Sequence, residues 1–171
     1  MSQTNEICEQ VKKIYDWLDS QLAETADKCT ACGNCCDFAR FGHKLFITSP
    51  ELLYFKTNIG DLTPIPLNNC DCCTRVSAAG INGCKPLDAQ VIIPFGIKPM
   101  PAGVCPYMQD KKCTARDFRF AGCRIFFCKA DEEFQSKLSE QAIKDFKQIC
   151  DKYQLPYRYT DLKTALNNIT I

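Results

Sequence analysis

Cys29-Thr30-Ala31-Cys32-Gly33-Asn34-Cys35-Cys36 places four thiols within eight residues. Two consecutive Cys-x-x-Cys spacings let the backbone curl so that several sulfurs aim at one centre. Thiolates held that way bind zinc or iron rather than substrate. A second series, Cys105, Cys113, Cys123 and Cys128, follows downstream. Together they predict a mainly α fold, stabilised by metal. Its helices would brace irregular cysteine-rich loops, with at most a few short strands.

Composition narrows the setting. A chain of 171 residues is expected to form one domain over 1–171, long enough to bury a modest apolar core. Basic and acidic residues number 21 and 20, a net charge of +1, and no basic stripe stands out. The electrostatic footprint of a nucleic-acid binder is therefore missing. No apolar run approaches membrane-spanning length, so no membrane association is expected, while a protein partner stays open. The opening residues Met1–Gln10 lack the basic and apolar regions of a secretory leader. A reducing, cytoplasmic location is expected, where 14 cysteines favour metal over disulfides. A disulfide-stapled secreted domain is the competing expectation.

Working outward from the cluster, Asn5 to Thr25 reads as an amphipathic helix, with Ile7, Val11, Ile14, Tyr15, Leu18 and Leu22 on one face. The cysteine core spans 29–128. Gly42 to Thr48 reads as extended. Ser49-Pro50-Glu51 reads as a helix start, with Ser49 as N-cap and the helix running to about Thr57. Prolines and glycines break the pattern over 60–104, where only Val91-Ile92-Ile93 suggests a strand. Asp131-Glu132-Glu133 opens a long helix to about Tyr153, with acids first and lysines last as the helix dipole prefers. Thr160-Asp161 caps a short last helix carrying Leu162, Ala165 and Leu166, so that helices fill 131–168.

The run Cys29-x2-Cys32-x2-Cys35 matches three ligands of a bacterial-ferredoxin-type loop, and Cys105-Pro106 supplies the cysteine–proline pair that often completes one. Zinc and an iron–sulfur cluster both remain as cofactors. Neighbouring side chains in an extended segment point apart. Of Cys35 and Cys36, one is therefore expected to serve the local site and the other to cross to a site with ligands from Cys105, Cys113, Cys123 and Cys128. Cys70, Cys72, Cys73 and Cys84 could form a third quartet or a redox-sensitive set. His43, the lone histidine, is a second-tier ligand candidate. Cys8 and Cys150 fall on predicted helices and should pack as small apolar residues. Arg116, Arg119 and Arg124 flank Cys113 and Cys123, where they could offset thiolate charge. Phe118, Phe120, Phe126 and Phe127 are expected to be core around the site. No catalytic residue emerges. The single histidine leaves little acid–base machinery, and no glycine-rich nucleotide fingerprint is present.

These residues resemble the YkgJ-type cysteine-cluster family, the CxxCxxCC zinc- or iron-chelating domain. Cys29, Cys32, Gly33, Cys35 and Cys36 are similar to its opening motif, and Thr48 and Glu51 to its threonine–glutamate segment. Cys105-Pro106-Tyr107-Met108, Cys113, Arg119 and Cys123-Arg124 resemble its second half. Arg116 and Phe120 depart from its frequent tyrosine and proline, and Cys70–Cys84 resembles an insertion. The resemblance implies metal binding. Flagellin lysine methylases are relatives carrying the cluster, and the alternative expectation is an iron–sulfur protein in electron transfer, redox sensing or methylase-related protein modification.

Overall fold

The computed structural model describes residues 2–23, 33–42, 44–59, 97, 99–100, 103–127 and 131–167. Their architecture is mainly helical, with four short strands among the described residues. The first helix, α1 (Gln3–Leu22), starts two residues ahead of the Asn5 expected because the Ser2 side chain accepts from the Asn5 N–H at 3.4 Å. Its buried face is the predicted set Ile7, Val11, Ile14, Tyr15, Leu18 and Leu22. A short α2 (Phe38–Phe41), which the sequence reading did not anticipate, is capped by Asp37 and closed by Gly42 at φ 66°.

Strand β1 (Phe46–Thr48) leads directly into α3 (Ser49–Ile59). Ser49 is not the cap that its position suggested. Its hydroxyl instead donates to Pro156 O at 2.7 Å and accepts from Arg158 N at 2.8 Å. Capping passes to Thr48, whose N–H reaches Glu51 Oε2 at 2.9 Å, the backward half of a capping box. The hairpin strands β2 (Met108–Gln109) and β3 (Lys112–Cys113) follow. Next come α4 (Ala121–Ile125) and the long α5 (Glu132–Tyr153). Asp131 caps α5 by accepting from Phe134 N at 2.8 Å, and Gln154 closes it in the left-handed conformation.

The chain ends its described course in β4 (Tyr159–Asp161) and α6 (Leu162–Asn167). β4 pairs antiparallel with β1, Ile47 opposite Thr160. Leu162, Ala165 and Leu166 are buried as expected.

Two apolar cores meet across α3. The first joins α1, α4 and α5 around Tyr15, whose ring lies edge-on to Tyr54 at 5.3 Å and to Phe146 at 6.3 Å. The second gathers Ile47, Phe55, Tyr107, Phe120 and Leu162, with Phe55 and Phe120 ring centres 4.8 Å apart. Tyr54 and Phe55, adjacent on α3, therefore serve different cores. Cys105, Cys113 and Cys123 pack against the second. Among the described residues no helix is long and apolar enough to cross a membrane. The strand expected at Val91–Ile93 lies outside the described residues.

Candidate functional site

Five cysteines from three stretches of chain line one cleft: Cys35, Cys36, Cys105, Cys113 and Cys123. Local chemistry brings each there. Gly33 sits at φ 76°, and a Cβ on it would lie 3.0 Å from the Lys111 backbone. Only glycine accommodates both constraints without strain. It opens a tight turn, closed by Cys36 N donating to Gly33 O at 3.0 Å, in which Asn34–Cys36 form one turn of 3₁₀ helix.

The next residues run against the start of the second cysteine series. Cys105 N donates to Cys36 O at 2.8 Å, Asp37 bridges Val104, and Ala39 N donates to Gly103 O at 3.0 Å. Gly103 is at φ 72°, and a Cβ there would meet Ala39 Cβ at 2.9 Å. The two cysteine segments are therefore held together by backbone hydrogen bonds. The β2–β3 hairpin then folds Cys113 back opposite Met108, turning through Asp110 and Lys111 at φ 49° and 63°. These are the paired positive φ values of a tight hairpin turn.

Cys123 arrives on α4, and Glu51 fixes that helix. Glu51 is 2% exposed, and its Oε1 accepts from Ala121 N, the first residue of α4, at 2.7 Å. Its Oε2 accepts from Thr48 N and Thr48 Oγ1, at 2.9 and 2.8 Å, while Tyr15 Oη approaches Oε1 at 3.4 Å. One buried carboxylate thus ties α1, α3 and α4 together. Sequence reasoning passed over this role, although the Thr48-x-x-Glu51 spacing is a capping-box signal.

The thiols interact with one another. Cys35 hydrogen-bonds to Cys36, and that bond together with burial pushes its pKa upward. Cys36 is pushed up to about 12, first by its hydrogen bond to the Cys105 thiol and further by burial, with the bond to Cys35 acting in opposition. Burial raises Cys123, helped by Cys36 and Cys113 and opposed by Arg119. In the absence of a cation, thiols so crowded keep their protons, because neighbouring thiolates repel and burial disfavours each charge. The expectation that Cys35 and Cys36 point apart is corrected. It assumed extended backbone, and with the 3₁₀ turn both side chains line the same cleft and hydrogen-bond to each other.

The three arginines divide their work. Arg119 sits in the field of Cys35, Cys113 and Cys123 and donates through Nε to Arg116 O at 3.1 Å. Arg116 lines the cleft. Arg124 turns away, stacking on Tyr15 at 4.3 Å and bonding Asp19, Arg119 O and Asp117 O, so its charge serves the helical core. Phe120 is buried, and Phe118 and Phe127 are partly so. Phe126 is not core as expected; it is 42% exposed at the cleft because α4 ends at Ile125 and the chain turns outward there.

Cys150 is buried on α5 and Cys8 packs against the first core, and neither lines the cleft. None of the seven described cysteines is in a disulfide. Cys29, Cys32, Cys128, Cys70, Cys72, Cys73, Cys84 and His43 lie outside the described residues. Among the described residues alone, no three histidine, cysteine or carboxylate side chains are grouped as a metal site. The chain matches no protein-family model, no curated protein and no solved structure.

Proposed function

We propose that this protein binds zinc or iron through clustered cysteine thiolates, with the metal at least partly structural. The ligands are drawn from Cys29, Cys32, Cys35, Cys36, Cys105, Cys113, Cys123 and Cys128, of which all but Cys128 also fall in the motifs of the YkgJ-type resemblance. One observation carries this reading. Five thiols from segments far apart in sequence line a single cleft, with an arginine in their field. The donor chemistry fits a metal: a bound cation supplies the positive charge that lets crowded sulfurs lose their protons together. A cytoplasmic location, proposed together with it, would keep the thiols reduced.

A structural role follows from where the sulfurs sit. Cys105, Cys113 and Cys123 pack on the second core, so a shared metal would cross-link the hairpin, α4 and the Cys35–Cys36 turn. A structural zinc contributes about 10–16 kcal/mol in small model domains, against net stabilities of about 5–15 kcal/mol. The second reading is an iron–sulfur protein in electron transfer, redox sensing or protein modification. The Cys29-x2-Cys32-x2-Cys35 run and Cys105-Pro106 favour it.

Anaerobic purification followed by metal and acid-labile sulfide analysis tests both. Colourless protein with stoichiometric zinc supports the first reading, and brown protein with sulfide supports the second. Metal-free protein that keeps its circular dichroism and melting temperature refutes both.

A further inference from the structure

The cleft that holds the cysteines also carries lining residues that metal binding does not require. Among the described residues the exposed large hydrophobic side chains are Phe46, Phe126 and Tyr159, at 41, 42 and 49% exposure, and all three line this cleft. Phe46 and Tyr159 stand two registers apart across the β1–β4 pair and stack, with ring centres 5.2 Å apart and planes 19° from parallel. Exposed apolar side chains gathered at one concavity mark a binding surface.

The same cleft is positively charged. Lys44, Lys111, Lys112, Arg116 and Arg119 line it, with Glu132 as the carboxylate among the described lining residues. Asp161 lies in the field of Lys44. The ion pairs among the described residues are Lys12–Asp16, Arg124–Asp19 and Lys137–Glu133, none of which involves these five cations. One four-thiolate zinc site would carry about −2 by formal count, so the five lining cations exceed one such site and Glu132 together. The cleft volume, about 610 Å³, falls within the roughly 300–1,000 Å³ of small-molecule sites.

We infer that this cleft binds a small anionic molecule with an aromatic body, such as an aryl carboxylate, sulfonate or phosphate. The ring lies against Phe46, Tyr159 and Phe126, and the anion faces Lys112, Arg116 and their basic neighbours. Apolar contact supplies most of the affinity and the cations supply the selection for charge. The inference goes beyond metal binding and stands chiefly on Phe46, Phe126, Tyr159, Lys112 and Arg116, none of them a proposed ligand.

Fluorescence titration of the anaerobically purified full chain tests it, with anilinonaphthalene sulfonate as the anionic probe and phenyl-naphthylamine as its neutral counterpart. The sulfonate should bind at one site per chain. Reversing two charges with Lys112→Glu and Arg116→Glu should weaken it about tenfold while changing the neutral probe less than about twofold. Phe46→Ser with Tyr159→Ser should weaken both probes, and Lys144→Glu, on the exposed face of α5, should affect neither. If the double charge variant fails to fold by circular dichroism, Lys44→Glu at its exposed position carries the same test. Equal binding of the two probes, indifference to charge reversal, or binding only of an acidic aromatic peptide would overturn the assignment. Metal content measured on the same samples separates the two proposals. Metal-free, folded protein that binds the sulfonate keeps the cleft and counts against the metal, whereas metal-loaded protein that ignores it does the opposite.

Discussion

Replacing Glu51 with alanine should destabilise the protein by about 3–5 kcal/mol. The side chain is 2% exposed and accepts from two backbone N–H groups, Thr48 at 2.9 Å and Ala121 at 2.7 Å, and from the Thr48 hydroxyl at 2.8 Å. Alanine orphans both buried donors at about 1–3 kcal/mol each and adds a cavity. Removing a buried charge offsets part of that. Glutamine keeps one acceptor oxygen, so Glu51→Gln should cost about 1–3 kcal/mol. The contact at Ala121 sits at the start of α4, so both variants should also bind metal more weakly in competition with a chelator. Glu51 also has a pH signature. Burial raises its folded pKa above the ordinary value of 4.5, against the lowering effect of its hydrogen bonds. Between those two values the folded state binds more protons than the unfolded state, so stability falls as pH rises from about 4.5 through the folded pKa. Glu51→Gln should lack that decline. Urea unfolding across pH measures both effects. A change below about 0.5 kcal/mol for Glu51→Ala, within the range of ordinary surface substitutions, would refute the bridging role.

Gly33→Ala should cost about 1–3 kcal/mol, more than Gly42→Ala. Both glycines have positive φ, but only Gly33 faces backbone at 3.0 Å, whereas nothing lies within 4 Å of a Cβ on Gly42; paired urea melts would compare them. Arg124→Lys should cost about 2 kcal/mol, because an ammonium cannot hold Asp19, Arg119 O and Asp117 O while stacking on Tyr15. A loss of helical stability with unchanged metal content would confirm that Arg124 serves the core, and a loss of metal without a change in stability would contradict it.

The helices were legible because their signals are local. The α1 stripe from Ile7 to Leu22 and the Asp131 cap of α5 need only periodicity and one side chain. Strand β4 was not legible. Three residues, Tyr159–Asp161, carry no period, and they become a strand only by meeting Phe46–Thr48 from across the chain. Glu51 was visible as a first-turn acid, but nothing in sequence links it to Ala121, 70 residues away. The cysteine spacing announced a cluster without its backbone conformation. The 3₁₀ turn at Asn34–Cys36, which decides where Cys35 and Cys36 face, depends on Gly33 packing against Lys111. The aromatic cleft was hidden for the same reason, since Phe46, Phe126 and Tyr159 come together only in the fold.

Metal content across single cysteine-to-serine variants, measured on anaerobically purified protein, tests the central claim most directly. Variants at Cys36, Cys105, Cys113 and Cys123, which share the cleft, should lose bound zinc or iron. Variants at Cys8 and Cys150, which do not line the cleft, should keep the wild-type stoichiometry. Metal content that is absent from the wild type, or the same in every variant, would contradict a thiolate metal centre in this cleft.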